Sequence, residues 1–255
     1  MQNTATSNGE GDRSVFNVGA LARTLEDRLG LRHPPVALAV CEKAPDDVAP
    51  FSGAVPSACT LWRRAETEVF FAPAAAHLNC PIGAMTMGFP LSEEVRGRLM
   101  DTVGTMAAHG YFDPAEAANI PTVPGAKSGI VYGPLAAFPL VPDVALVWVS
   151  GEGGMLLAEA AETVQWAPDA AGEPALGRPS CAAVALAIRQ GSPTLSLGCA
   201  GMRVFTEIDA DLNLAVLPRA ALGGLDQRLH ATARANIGMA AYYRQQKERF
   251  APAVT

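Results

Sequence analysis

Two short stretches of the sequence place a cysteine beside a glycine turn. Residues 77–90 read HLNCPIGAMTMGFP and contain Cys80, and residues 196–205 read SLGCAGMRVF and contain Cys199. Each cysteine follows a strand-like segment, so we expect it at a strand exit, where backbone N–H groups are free. Such donors stabilise a thiolate, the form that binds metals and attacks electrophiles. The two stretches therefore indicate thiol chemistry.

A second pair of cysteines extends this pattern. Cys59 and Cys181 each come shortly after a Pro-Ser dipeptide and open a helical segment that leads, through a strand, to Cys80 or Cys199. The strands that precede these stretches are also alike, PPVALAV and PDVALVWV. These similarities between the two halves of the chain predict a weak internal repeat, which would bring the cysteines together in pairs about a pseudo-two-fold axis. Two such pairs would suit an iron–sulfur cluster or another thiolate-bound metal.

The cysteines also fit a purely structural role. Free cysteine is among the most buried residue types and packs as a small hydrophobic side chain. Cys41 ends a strand-like segment, and we expect it to be packed in this way. The chain has no Cys-x-x-Cys pair, which excludes zinc-ribbon and thioredoxin-like motifs on spacing.

Four residues near the cysteines are candidates for cofactor binding: Gly83, Gly198, Gly201 and Arg203. Glycine lets a cofactor approach the backbone closely. Arg203 would bind an anion or lower the pKa of a neighbouring thiol. Together with the glycine-rich turn at residues 151–154, Arg203 supports an alternative without metal, an α/β enzyme or binding module for a small organic anion.

Other side chains do not identify a reaction. His77 lies three residues before Cys80, a spacing that fits either a Cys/His dyad or a packed histidine. Met85 and Met87 would line an adaptable pocket, offer soft sulfur ligands or fill the core. No serine elbow, paired catalytic carboxylates or His-Glu-x-x-His motif occurs, so the sequence does not decide whether the protein is an enzyme.

Helices and strands alternate along the chain. Amphipathic helices are predicted over residues 14–31, with Ser14 as the cap, and over residues 92–110. Strands are predicted at residues 34–42, 68–80, 128–135, 143–150, 193–199 and 212–218. This alternation predicts an α/β or α+β fold, a mixed sheet with helices. We expect a disordered tail over 1–13 and one globular domain over 14–250, divisible into pseudo-symmetric halves 14–125 and 126–250 if the repeat is a duplication.

Composition narrows the class of protein. The 255 residues are 49% hydrophobic, enough for a sizeable core, and the net charge is -6 without a basic stripe, which argues against nucleic acid as a partner. The polar start is unlike a secretion signal. The longest apolar stretch, residues 129–150, contains three prolines and Asp143, so we expect no membrane span. The expectation is a cytoplasmic protein whose five cysteines stay reduced.

The segments that carry the cysteines resemble the DUF169 family of bacterial and archaeal proteins. The resemblance covers residues 15–248 and rests on LEDRLGLRHPPVALAV, CTLWRRAETEVFFAPAAAHLNCPIGAMTMGF and CAAVALAIRQGSPTLSLGCAGMRVFTEIDADLNLAVLP. This family is uncharacterised, so the resemblance implies no activity and no catalytic residue. It does imply that the four cysteines and their neighbours Gly83, Gly198, Gly201 and Arg203 stand where the family is most distinctive.

The leading hypothesis is a cysteine-ligated cofactor protein with an iron–sulfur cluster or another metal held by Cys59, Cys80, Cys181 and Cys199. It would act in redox chemistry or in metallocofactor maturation, with a redox or maturation protein as its partner. The anion-binding module and a structural subunit with packed cysteines remain the alternatives. The sequence gives no oligomeric state.

Overall fold

A computed structural model describes residues 17–125, 127–163 and 179–250. The six strands in these residues are β1 (Val36–Cys41), β2 (Phe70–Pro73), β3 (Gly129–Pro134), β4 (Val144–Val149), β5 (Thr194–Ser196) and β6 (Asn213–Pro218). They form one sheet in the order β2-β3-β1-β4-β6-β5, and all five pairings between neighbours are antiparallel. The mixed fold predicted from the sequence is confirmed, and the antiparallel sheet makes it an α+β fold.

Ten α-helices occur in the described part of the chain. They are α1 (Val18–Leu29), α2 (Thr60–Arg64), α3 (Ala74–His77), α4 (Pro81–Thr86), α5 (Glu93–Ala108), α6 (Gly151–Ala160), α7 (Ala182–Gln190), α8 (Ala200–Thr206), α9 (Arg219–Leu222) and α10 (Leu225–Phe250). Two 3₁₀ helices, Pro114–Asn119 and Leu135–Ala137, complete the set. No helix in these ranges combines the length and the apolar character needed to cross a bilayer.

The sheet is buried on both faces, and side chains alternate between these faces along each strand. In β4, the small side chain of Ala145 faces the cluster formed with α1, α6 and α10. The neighbouring Leu146 and Trp148 face the other cluster, formed with α2, α4, α7 and α8. We call the first side the closed face and the second the cavity face. Continuous apolar strands such as VALVWV are therefore explained by burial on both sides.

The first helix begins slightly later than its sequence pattern predicts. Asn17 caps α1, its side chain accepting the N–H of Ala20 at 3.0 Å. The helix ends at Gly30, whose positive φ of 59° suits glycine. Ser14, predicted as the cap, and the predicted tail 1–13 lie outside the described residues.

The strand predicted to run as far as Cys80 is much shorter. β2 ends at Pro73, which has no N–H to donate to a sheet ladder, and the following alanines form the helical turn α3. Cys80 consequently follows a helix, and its predicted place at a strand exit was wrong. Cys199 does come shortly after a strand, β5.

Candidate functional site

All four predicted ligand cysteines stand immediately before a helix. Cys59, Cys80, Cys181 and Cys199 are the N-cap residues of α2, α4, α7 and α8, respectively. These helices lie on the cavity face, two from each half of the chain. The Pro-Ser and glycine-turn patterns in the sequence are thus helix starts, and the fold brings those starts to one side of the sheet.

The four cysteines line a single cavity of about 420 Å³. The volume falls within the range of small-molecule and cofactor sites. Met100 and Phe205 also line it while remaining 67% and 42% exposed, which places its mouth beside α5 and α8. Aspartate, glutamate, lysine, arginine and histidine are all absent from the part of its lining that the structure describes. The site is therefore an apolar cavity with sulfur in its wall.

The sulfur atoms of Cys80 and Cys199 each accept a backbone N–H. Gly83 N–H donates to Cys80 Sγ at 3.3 Å, and Met202 N–H donates to Cys199 Sγ at 3.4 Å. Both contacts span three residues and satisfy a free donor of the first helical turn. This matching arrangement holds the two sulfur atoms at corresponding places in α4 and α8.

Cys59 and Cys181 sit in surroundings that favour the neutral thiol. Burial raises the pKa of Cys59 to about 11, the hydrogen bond with Ser57 opposes the rise, and the nearby Cys80 and Cys199 reinforce it. Burial likewise raises the pKa of Cys181 well above its usual range, reinforced by the other three cysteines. Through these electrostatic effects, Cys59 and Cys181 are coupled to each other and to Cys80 and Cys199. A bound cation would reverse the preference by stabilising the thiolates.

Cys41 is on the opposite side of the sheet. It packs against the closed-face cluster, and its thiol donates to the carbonyl of Ala39 at 3.5 Å. Its predicted role as a packed residue agrees with this position. Cys41 is therefore an internal reference for the four cysteines of the cavity.

The candidate cofactor-binding residues are only partly brought together. Gly83 and Gly201 line the cavity, whereas Gly198 and Arg203 do not. The guanidinium of Arg203 donates to four backbone carbonyls, those of Leu197, Asp209, Ala210 and Leu212. Arg203 thereby ties together the chain on either side of α8.

The glycine-rich turn at residues 151–154 is separate from the cysteines. It forms the first turn of α6, and Ser150 caps that helix by accepting the N–H of Gly153 at 3.1 Å. α6 packs with α1 and α10 on the closed face. The residues proposed to grip an anion, Arg203 and this turn, therefore do not share a site with the cavity cysteines.

His77 does not pair with a cysteine. Its side chain is 0% exposed, with Nδ1 bonded to the Pro73 carbonyl and Nε2 bonded to the Tyr132 hydroxyl, both at 3.0 Å. Burial lowers the pKa of His77 to about 4 and raises that of Tyr132. With both ring nitrogens engaged, His77 is a packed neutral histidine, the second interpretation offered by the sequence.

Several lining residues had not been recognised from the sequence. Ser57 and Ser180 precede the cysteines of α2 and α7, and their hydroxyls differ. Ser57 Oγ lies 2.9 Å from Cys59 Sγ, whereas buried Ser180 Oγ has no hydrogen-bond partner among the described residues.

The helix α5 also lines the cavity, and it contributes apolar side chains at helical spacing, Leu99, Val103 and Met106. That spacing was the available signal, and it marked the helix face without showing what the face covers. Met85 also lines the cavity, while Met87 is core.

No group of three or more His, Cys, Asp or Glu in the described ranges is arranged to hold a single metal ion. A tetrahedral site with metal–sulfur bonds of about 2.3 Å needs sulfur atoms about 3.8 Å apart. The four thiols share the wall of one cavity, and within the described residues they form no such preformed cage.

The family assignment comes from comparison with protein-family models. The model described as DUF169, uncharacterised ArCR, matches residues 24–225. The chain belongs to the DUF169 family. This confirms the resemblance seen in the segments around the cysteines. Searches of curated proteins and of solved structures found no match to this DUF169 protein.

Proposed function

We propose that this DUF169 protein holds a cysteine-ligated cofactor, an iron–sulfur cluster in preference to a single metal ion, and uses it in electron transfer or in the maturation of a metallocofactor. The observation that carries the proposal is the convergence of Cys59, Cys80, Cys181 and Cys199 on one cavity. A role as inert core filler would not require four of five thiols to share a cavity wall. We place the protein in a reducing compartment such as the cytoplasm, where the five free cysteines persist.

A cluster places a different geometric requirement on the thiols from that of one ion. Each cysteine of a cubane cluster binds a different iron, so its sulfur atoms stand farther apart than around one tetrahedral metal. Four thiols spread around the wall of one cavity could meet that requirement without a preformed single-ion cage. On binding, each neutral thiol releases its proton to solvent as its sulfur bonds to iron, so uptake would increase with pH.

The surroundings of the thiols also indicate whether the reduction potential of a bound cluster would be low or high. No cationic side chain lines the cavity in the described residues, so an added electron would go uncompensated in an apolar environment. Net charge and solvent exposure set cluster potentials. We therefore expect a low reduction potential and a protein partner that docks near the cavity mouth.

The sheet supports an origin of the site in an internal duplication. Its order places β1, β3 and β2 on one side of the centre and β4, β6 and β5 on the other, in corresponding sequence. The boundary between such halves therefore falls between β3 and β4, and not at the predicted residues 125–126. The central register pairs residues 36–38 with residues 144–146 in reverse order, and both triplets read Val-Ala-Leu. Backbone hydrogen bonds beside β1 and β4 also correspond, from Leu135 N–H to Pro35 O at 2.8 Å and from Arg219 N–H to Asp143 O at 2.9 Å. A pseudo-two-fold axis between β1 and β4 would relate Cys59 to Cys181 and Cys80 to Cys199.

The test is anaerobic purification and reconstitution with iron and sulfide, followed by chemical assay of both elements and a visible spectrum. We expect iron and acid-labile sulfide in equal amounts, with sulfide-to-iron charge-transfer absorption. A different metal bound without sulfide would reject the cluster and retain a thiolate metal site. Protein that binds no metal under any of these conditions would reject the proposal.

A further inference from the structure

The cavity has a second kind of wall besides the one that carries sulfur. α5 and the 3₁₀ helix Pro114–Asn119 form this wall, with the apolar side chains of Leu99, Val103, Met106 and Ala117. These elements lie in a long connection between α4 and β3. The corresponding connection from α8 to β6 is a short loop, residues 207–212. One half of the chain thus supplies an apolar wall for which the other half has no counterpart in the described residues.

Charge in the cavity limits what this wall can contact. With no aspartate, glutamate, lysine, arginine or histidine in the described lining, a charged organic molecule would lose its hydration without gaining an ion pair. An uncharged apolar molecule meets no such penalty and gains from leaving water. The cavity therefore favours the binding of uncharged organic molecules over organic ions.

Among the described residues that line the cavity, one buried side-chain hydroxyl lacks a hydrogen-bond partner. Ser180 lines the cavity and is only 1% exposed, and its Oγ makes no hydrogen bond with any described residue. A buried hydroxyl without a partner destabilises the folded protein, and a ligand atom that bonds to it removes that cost. Ser57, in the corresponding place before α2, already contacts Cys59 Sγ at 2.9 Å. Of these two hydroxyls, that of Ser180 is therefore the one available to a ligand.

We infer that the cavity binds an uncharged, largely apolar small molecule that makes one hydrogen bond, to Ser180. The molecule lies against the side chains of α5, on the same cavity that holds the cysteines. This binding goes beyond the cofactor proposal and does not depend on a metal. With a cluster present, the ligand would be its neighbour and thus a substrate or an effector of the redox group.

The first experiment compares two fluorescent probes that share their aromatic rings and differ in charge. N-phenyl-1-naphthylamine is neutral, and 8-anilino-1-naphthalenesulfonate is its anionic relative. We expect the neutral probe to bind at least about tenfold more tightly, since one desolvated charge costs several times the 1.4 kcal/mol of a tenfold change. Equal or tighter binding of the anion would overturn the inference.

Two variants locate the binding. Val103→Trp should fill the cavity beside α5 and weaken the neutral probe at least about tenfold, since overpacking excludes the ligand. Val141→Trp is the matched control, because Val141 is 55% exposed and does not line the cavity. A melting curve for each variant establishes that it is folded. Unchanged probe affinity in folded Val103→Trp would contradict the binding of the ligand beside α5.

The hydrogen bond is tested by competition between 1-naphthol and 1-methylnaphthalene for the bound probe. The wild type should prefer the naphthol, and Ser180→Ala should abolish that preference while still binding both. A preference that survives Ser180→Ala would reject the role of Ser180. Iron and sulfide assays on the same samples separate the two proposals, because iron without probe binding rejects only the ligand and probe binding without iron rejects only the cofactor.

Discussion

The two faces of the sheet share the same strands and differ in what covers them. The closed face presents small side chains such as Ala37, Ala145 and Ala215, and the helices α1, α6 and α10 pack against it. The cavity face presents larger side chains, including Tyr132 and Trp148, beneath short helices that begin at cysteines. The small residues let long helices approach closely, whereas short helices leave uncovered space between them. The cavity is therefore a property of one face of the sheet, and the four thiols belong to that face.

The most severe way to test this contrast is to remove the thiols one at a time. Cys181→Ala should abolish cluster binding or weaken it by more than the roughly 10–100-fold typical of losing an outer partner of a ligand. Cys59→Ala, Cys80→Ala and Cys199→Ala should behave alike. Iron and sulfide per chain after anaerobic reconstitution provide the measurement.

Cys41→Ala is the matched control for this series because its thiol packs on the closed face. It should retain the full iron and sulfide content. Equal loss from Cys41→Ala and Cys181→Ala would remove the functional distinction between the two faces.

The buried His77 gives the next largest expected effect. Its folded-state pKa of about 4 lies below the ordinary value of 6.5, so the unfolded chain takes up a proton first as pH falls. The contribution of neutral His77 to the free energy of unfolding is therefore fully present above pH 6.5. It is lost progressively as the pH falls to 4, by roughly 3 kcal/mol, because each pH unit corresponds to 1.36 kcal/mol. Urea unfolding at pH 7 and pH 4 should show this loss, and His77→Gln should show a correspondingly smaller one.

A histidine of the closed face provides the comparison. His230 accepts a hydrogen bond from Arg28 and is only partly buried. His230→Gln is the control for replacing a histidine that is only partly buried. If His77→Gln and His230→Gln flatten the wild-type pH dependence equally, the contrast between the faces does not extend to their histidines.

The alkylation rate of Cys59 in the metal-free protein tests whether its thiol is desolvated. With its pKa raised to about 11, Cys59 should have roughly a hundredfold less thiolate at pH 8 than an ordinary cysteine and should react correspondingly slowly with iodoacetamide. Ser57→Ala should slow the reaction further because it removes a hydrogen bond that lowers this pKa. Site-resolved mass spectrometry measures the rates, and the same peptide in urea supplies the reference. Alkylation of native Cys59 at the urea rate would show that the thiol is not desolvated.

The strands were predictable because their evidence is local. VALAVC follows Pro35, and VALVWV lies between Pro142-Asp143 and Ser150-Gly151; both are short, continuous apolar segments rich in valine, which favours a strand over a buried helix. The cysteines were predictable as a set because each half repeats a Pro-Ser dipeptide before one cysteine and a glycine beside the other.

The cavity was not predictable because it depends on distant packing. Nothing near Val103 indicates that α5 covers the thiols, and nothing near Arg203 indicates that four carbonyls from two loops surround its guanidinium. The end of β2 was missed for a different reason. Ala74 and its neighbours suit either structure, and only the missing N–H of Pro73 gave a local indication of the break.

The smallest predicted effect distinguishes the two halves of the cavity face. A Cβ added at Gly83 would lie 3.1 Å from both Ala58 Cβ and Cys80 Sγ, so Gly83→Ala must shift the sulfur or its neighbour. At Gly201 the nearest atom is 3.9 Å away, in Phe205, and alanine fits there. We expect Gly83→Ala to cost about 1 kcal/mol through overpacking and Gly201→Ala to gain about 0.5–1 kcal/mol of helix stability. Thermal unfolding of both variants tests the difference, and a loss at Gly201 as large as that at Gly83 would mean that α4 and α8 are packed equally tightly around their cysteines.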